Sequence, residues 1–155
     1  MKRSNTLWLL TLLFAWSTLK SMGTVLGAES VPDYVLLSSL GLDYWFYALC
    51  ISLMLGEAGL TYLLFNKKKS AYSVGSIVLV AEVTVALVFI YIGIMHMDEM
   101  KKIYVASREA RAMTANADML GAPLLGAVAL SYVVFYSMVY FFLRKIRPEL
   151  ADGAA

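Results

Sequence analysis

The sequence predicts an all-α integral membrane protein, a bundle of four antiparallel transmembrane helices with an extra helical segment on the outer face. Composition is the first observation behind this: of 155 residues 61% are apolar and 15% charged, with a mean hydropathy of +0.72. A soluble domain is about 45 to 50% apolar and about 25% charged, so a globule this small cannot hide the excess. The second observation is four apolar stretches, each with at most one charge and each long enough for the roughly 20 helical residues that cross a bilayer core. The same figures exclude a disordered chain, which needs low hydrophobicity. A formal net charge of +2 excludes a nucleic-acid binder, because no large basic face is left to meet phosphates. Residues 1–155 read as a single transmembrane domain.

The spans fall at about 6–27, carrying only Lys20, at 44–65 with only Glu57, at 71–97 with only Glu82, and at 119–143 with no charge. Val31-Pro32-Asp33 breaks the chain after the first span, and Val35 to Leu40 reads as a short interfacial segment. Between spans three and four, 98–118 is an outer helical connection. Its residues favour helix, with apolar side chains at Met100, Ile103, Tyr104, Ala110 and Met113 and Asp98 at pairing distance from Lys102. This helix either extends the third span or lies along the membrane surface. Asn116 or Asp118 caps the helix that follows, shortly before Pro123.

Lysines and arginines set the orientation. Lys2 and Arg3 precede span one, Lys67, Lys68 and Lys69 join spans two and three, and Arg144, Lys145 and Arg147 follow span four. All three clusters fall on one side, which places both termini in the cytoplasm and the protein in the inner or plasma membrane. The opposite side carries Glu29, Asp33 and Asp43, and then Asp98, Glu99, Glu109 and Asp118 mixed with Lys101, Lys102, Arg108 and Arg111. Residues 1–27 also carry the outline of a cleaved secretory signal peptide, with Val25-Leu26-Gly27 as an imperfect cleavage site. An uncleaved span is favoured, because Lys20 falls where such a peptide is normally neutral. Trp8 and Tyr72 mark the inner interface, and Tyr34, Tyr44, Trp45 and Tyr104 the outer one.

The chain holds one cysteine, Cys50, and one histidine, His96. Neither an internal disulfide nor bis-histidine haem ligation can be built from these. No G-x-S-x-G, P-loop or H-E-x-x-H is present, so the chain reads as non-enzymatic.

Charge inside a span is expensive, about 2.5 to 3.5 kcal/mol on insertion scales, and such groups face protein or water. At a rise of about 1.5 Å per residue, Glu57 lies roughly 13 Å from the cytoplasmic end of its span, and Glu82 and Tyr132 roughly 16 Å. Lys20 comes out near 21 Å, but its side chain leans back toward the carboxylates. Lys20, Glu57, Glu82, Tyr132 and Tyr136 therefore form a candidate charged layer. One reading is a proton or cation site shared by Glu57 and Glu82, with Lys20 as counter-charge. The blander reading is a structural lock, with Lys20 paired to one glutamate and the other bonded to a hydroxyl. Tyr132, Tyr136 and Tyr140 recur every four residues, either as hydrogen-bond donors to this layer or as an aromatic packing ridge.

Small residues mark the packing faces. Gly75, Glu82, Ala86 and Gly93 lie within about 60° of one another around their helix, so Glu82 sits on a stripe that admits a close neighbour. On span two the small stripe is Ala48, Ser52, Gly56 and Gly59, and Glu57 lies almost opposite it beside Cys50 and Thr61. Span two is thus expected to contact protein on two faces. At the outer end of span three, Met95, His96, Met97 and Met100 supply thioethers and an imidazole of the kind that suits Cu(I). Methionine is also a common filler of irregular apolar gaps, so no cofactor is predicted outright, with copper as the one candidate.

The leading functional expectation is an accessory or structural subunit that docks in the lipid bilayer, as a homo-oligomer or in a larger membrane complex. The alternative is a proton-linked or cation-conducting transporter that uses Glu57 and Glu82. Copper handling at the outer face is the third.

Overall fold

A computed structural model of the chain describes residues 4–109 and 120–151. Among them every regular element is helical: α1 (Asn5–Leu26), a 3-10 turn (Ala28–Ser30), α2 (Pro32–Ser39), α3 (Asp43–Phe65), α4 (Ser70–Met95), α5 (Met97–Glu109) and α6 (Ala122–Ala151). Helices α1, α3, α4 and α6 are long and apolar enough to cross a membrane. Lys2, Arg3, Ala110, Arg111, Met113, Asn116, Asp118 and Met119, which figured in the sequence reading, lie outside the described residues.

Local chemistry explains most boundaries. Ser4 caps α1, its hydroxyl accepting from the Leu7 amide at 3.2 Å. Pro32 opens α2 at a position where its missing N–H costs nothing, and Gly41, at φ +71°, turns the chain toward α3. The interfacial segment expected at 35–40 is thus an eight-residue helix that begins three residues earlier. Helix α4 ends at Met95, two residues before the predicted limit, because His96 leaves helical geometry at φ −115°, ψ 43°. Helix α5 starts afresh at Met97 and packs against α2, so it is a separate helix rather than a continuation of α4.

The long helices touch in the order α1–α3–α4–α6, and α6 returns to α1. Leu7, Leu10 and Phe14 of α1 meet Leu60 and Leu64 of α3, Val78 and Leu79 of α4, and Leu143, Ile146 and Leu150 of α6. This cluster packs solidly the end of the molecule that carries the described chain termini. Gly75 sets the approach of α4 to α6: a Cβ there would stand 2.6 Å from Leu143 Cδ2. A second, smaller cluster around Ala28, Leu37 and Phe46 ties α2 to α3 and α4 at the other end.

Helix α6 runs to Ala151, well past the predicted limit at 143. Beyond Leu143 the chain is charged, yet Ile146 and Leu150 continue the buried stripe of Val139 and Leu143 at helical spacing. The Arg147 guanidinium lies over the Tyr72 ring, and the Ser4 amide donates to Glu149. Away from these contacts the long helices expose large apolar side chains such as Leu12, Trp16, Ile77, Val80, Leu130 and Phe141. Lipid is the solvent that tolerates such a surface.

Candidate functional site

Most span hydroxyls are spent within their own helices. Thr11, Thr18, Ser52, Thr61, Ser76 and Thr84 each donate to the carbonyl four residues back. Ser17 and Ser21 of α1 do otherwise. Both reach across to α3 and donate to Glu57, Ser17 to Oε1 and Ser21 to Oε2, the latter at 2.9 Å. Glu57 is 3% exposed, and each carboxylate oxygen has its own donor.

Glu82 on α4 is 7% exposed and less well served. Its Oε1 is buried without a hydrogen-bond partner. Tyr136 of α6 and Glu57 of α3 are side chains that interact with it. The two glutamates therefore act on each other, but their surroundings differ.

Both carboxylates line a cavity of about 350 Å³. Helix α1 contributes Ser17, Lys20, Ser21 and Thr24, and α3 contributes Cys50 and Leu53 beside Glu57. Helix α4 adds Val85, Ala86, Phe89 and Gly93, and α6 adds Leu125, Val128, Tyr132 and Tyr136. Asp33 of α2 and Met100 of α5 close the list of charged and sulfur groups on the wall. Along α1 the cavity-lining residues, from Ser17 to Thr24, follow the buried Leu7, Leu10 and Phe14 of the apolar cluster. Lys20 and Tyr132 on its wall are exposed, which connects it with the surroundings.

The placement of Lys20 departs from expectation. Its side chain lines the cavity but is exposed, and among the described residues it makes no ion pair with either glutamate. The two serines already serve Glu57, so pairing would strip water from an ammonium for little return. The tyrosine stripe divides. Tyr132 and Tyr136 stack, with centroids 6.1 Å apart, and both face the cavity. Tyr140 leaves it, its hydroxyl 3.1 Å from that of Tyr72.

Of the small residues, Gly75 and Gly93 are buried and Ala86 is on the cavity wall. A Cβ on Gly56 would meet Val78 of α4 at 3.1 Å, and one on Gly59 would meet nothing within 4 Å. Ala48 is half-buried and Ser52 exposed. Helix α3 contacts α1 and α4 of the same chain, while Ser52 and Gly59 of its small stripe stay exposed. The methionine group is not gathered at one point: Met95 is 64% exposed, while Met100 turns inward, its Cε 3.5 Å from where a Gly93 Cβ would be. His96 forms the break between α4 and α5, and Met97 opens α5.

Sequence reasoning missed Ser17, Ser21, Thr24 and Asp33. The first three lie at i, i+4 and i+7, a polar stripe on an otherwise apolar helix, which was a usable signal. Asp33 had none, because only the fold of α2 over the cavity brings it there. Burial holds its carboxyl above the usual carboxylate range.

No protein-family model matches the chain, and neither a curated protein nor a solved structure does.

Proposed function

We propose that this chain is a transporter that takes a proton or another cation into the membrane at Glu57 and Glu82. In this reading the four long helices form an antiparallel transmembrane bundle. Both termini are cytoplasmic, following the basic clusters at 67–69 and 144–147. The cavity then opens toward the outer side and stops near mid-membrane, above an apolar inner half. Helix α5 lies at the outer interface.

The observation that carries the proposal is the unpartnered Oε1 of Glu82, buried at a cavity that all four long helices line. A carboxylate oxygen without a donor is costly in such surroundings, and it is relieved by a proton or by a bound cation. Glu57, held by two hydroxyls, is the fixed member of the pair, and Glu82 is the exchanging one. Ionisable groups at this depth mark ion or substrate pathways when they face a polar cavity.

Reconstitution in liposomes under an imposed pH gradient, with an internal pH-sensitive dye, tests this. The wild type is expected to move protons or to couple them to an added cation, and Glu57→Gln and Glu82→Gln are each expected to abolish it. Unchanged flux in correctly folded variants overturns the proposal.

A second reading, an accessory subunit or homo-oligomer, is favoured by the outward face of α3. Ser52 and Gly59 are exposed there, and small residues let another helix approach closely. Purification in mild detergent separates the readings: a fixed-stoichiometry complex supports the subunit.

A further inference from the structure

We infer that the cavity is a binding site for a small organic ammonium ion, its nitrogen at Glu82 and its carbon tail against the rings of Phe89, Tyr132 and Tyr136. This rests on the transport reading and names its substrate class.

Size is the first ground. The cavity of about 350 Å³ is roughly ten times the 30 Å³ share of one liquid water, far more than a proton or a stripped metal ion needs. Ligand count is the second. Hard cations collect six or more oxygens at short range, and among the described residues no group of three or more His, Cys, Asp or Glu could hold a metal. A primary ammonium asks less: three N–H donors and a few acceptors. Glu82 Oε1 is such an acceptor, buried and unused. Each Glu57 oxygen takes one serine hydroxyl and has a further lone pair to offer.

The walls supply the third ground. Phe89, Tyr132 and Tyr136 come from α4 and α6, the helices on Glu82's side of the cavity, and the two tyrosines are stacked. Aromatic faces attract a cation and cover its carbon tail in one contact. Three acids, Asp33, Glu57 and Glu82, face a single base, Lys20, so the lining favours a cation over an anion. Lys20 is itself an ammonium on the wall, yet it makes no ion pair with the glutamates among the described residues. The carboxylate layer is left to a cation from outside.

The test is titration calorimetry of the full chain in nanodiscs, with empty nanodiscs subtracted. Phenethylammonium is the probe, and 2-phenylethanol is a neutral control of the same shape. Saturable binding of the amine is expected, with the alcohol at least about tenfold weaker, since a charge-assisted contact is lost. Glu82→Gln is expected to weaken the amine by a similar factor without changing the alcohol. Tyr132→Ala, at an exposed position, is expected to weaken both. Equal affinity for amine and alcohol overturns the ammonium assignment, as does full affinity in folded Glu82→Gln. Should Glu82→Gln not fold, the alcohol comparison and Tyr132→Ala still decide. Glu82-dependent proton flux without amine binding overturns this inference alone. Amine binding that depends on Glu82 without any flux supports the site and overturns transport, and the absence of both removes both.

Discussion

Ser21 of α1 donates its hydroxyl to Oε2 of Glu57 on α3 at 2.9 Å, and with Ser17 on the other oxygen it gives each oxygen of a carboxylate that is 3% exposed a donor. The contrast with Glu82, whose Oε1 has no partner, divides the pair into a carboxylate held at both oxygens and one that is not. Replacing both serines by alanine leaves a buried carboxylate without donors. The double variant is expected to lose about 1 to 3 kcal/mol per bond, read as thermal unfolding in detergent. Adding Glu57→Gln in that background should recover part of the loss, because the charge that needed the donors is gone.

Gly75 and Gly59 are two glycines in long helices with opposite expected behaviour. A Cβ on Gly75 would stand 2.6 Å from Leu143 and 3.2 Å from Leu60, both fully buried, so Gly75→Ala overpacks the core and is expected to cost about 1 to 3 kcal/mol. A Cβ on Gly59 meets nothing within 4 Å. Gly59→Ala is expected to be neutral or to stabilise by up to about 1 kcal/mol through helix propensity. Parallel unfolding curves check the pair. Should α3 seat another helix on this face, Gly59→Ala would instead disturb oligomeric state.

Leu150 is 1% exposed, and it lies beyond the last uncharged stretch of the sequence. Leu150→Ala is expected to destabilise by about 2 to 5 kcal/mol, as for other buried leucines. Leu130→Ala, at an outward-facing position of the same helix, should cost little. Similar effects from both would show that the end of α6 is not part of the core.

Asp33 gives a pH dependence whose sign follows from burial, which raises its carboxyl above the ordinary value. The folded state therefore holds the proton more tightly than the unfolded chain. The burden is absent below the unfolded value, grows as pH rises toward the folded value, and is fully present above it. Asp33→Asn is expected to raise the unfolding midpoint at neutral pH, with the advantage vanishing in acid. An advantage that persists at low pH would assign the effect to something other than ionisation.

Much of the fold was legible because its signals are local. Lys20, Glu57 and Glu82 are the only charges in their predicted spans, and an uninterrupted run of apolar residues announces a long helix without knowledge of its neighbours. The stripe of Gly75, Glu82, Ala86 and Gly93 likewise indicated which face of α4 turns inward, because helical period alone fixes it. The far end of α6 was hidden by Arg144, Lys145 and Arg147, since counting charges ignores the period that carries Ile146 and Leu150 into the core.

By itself, then, the sequence determined four long apolar helices and the two glutamates within them, because composition and period are properties of one helix at a time. Only the tertiary structure decided that serines rather than Lys20 hold Glu57, that Tyr132 and Tyr136 face the cavity while Tyr140 turns to Tyr72, and that Glu82 retains a free oxygen. Those outcomes depend on how α1, α3, α4 and α6 lean on one another, and a hydrogen bond between helices 36 or 40 residues apart in the chain leaves no periodic trace in either.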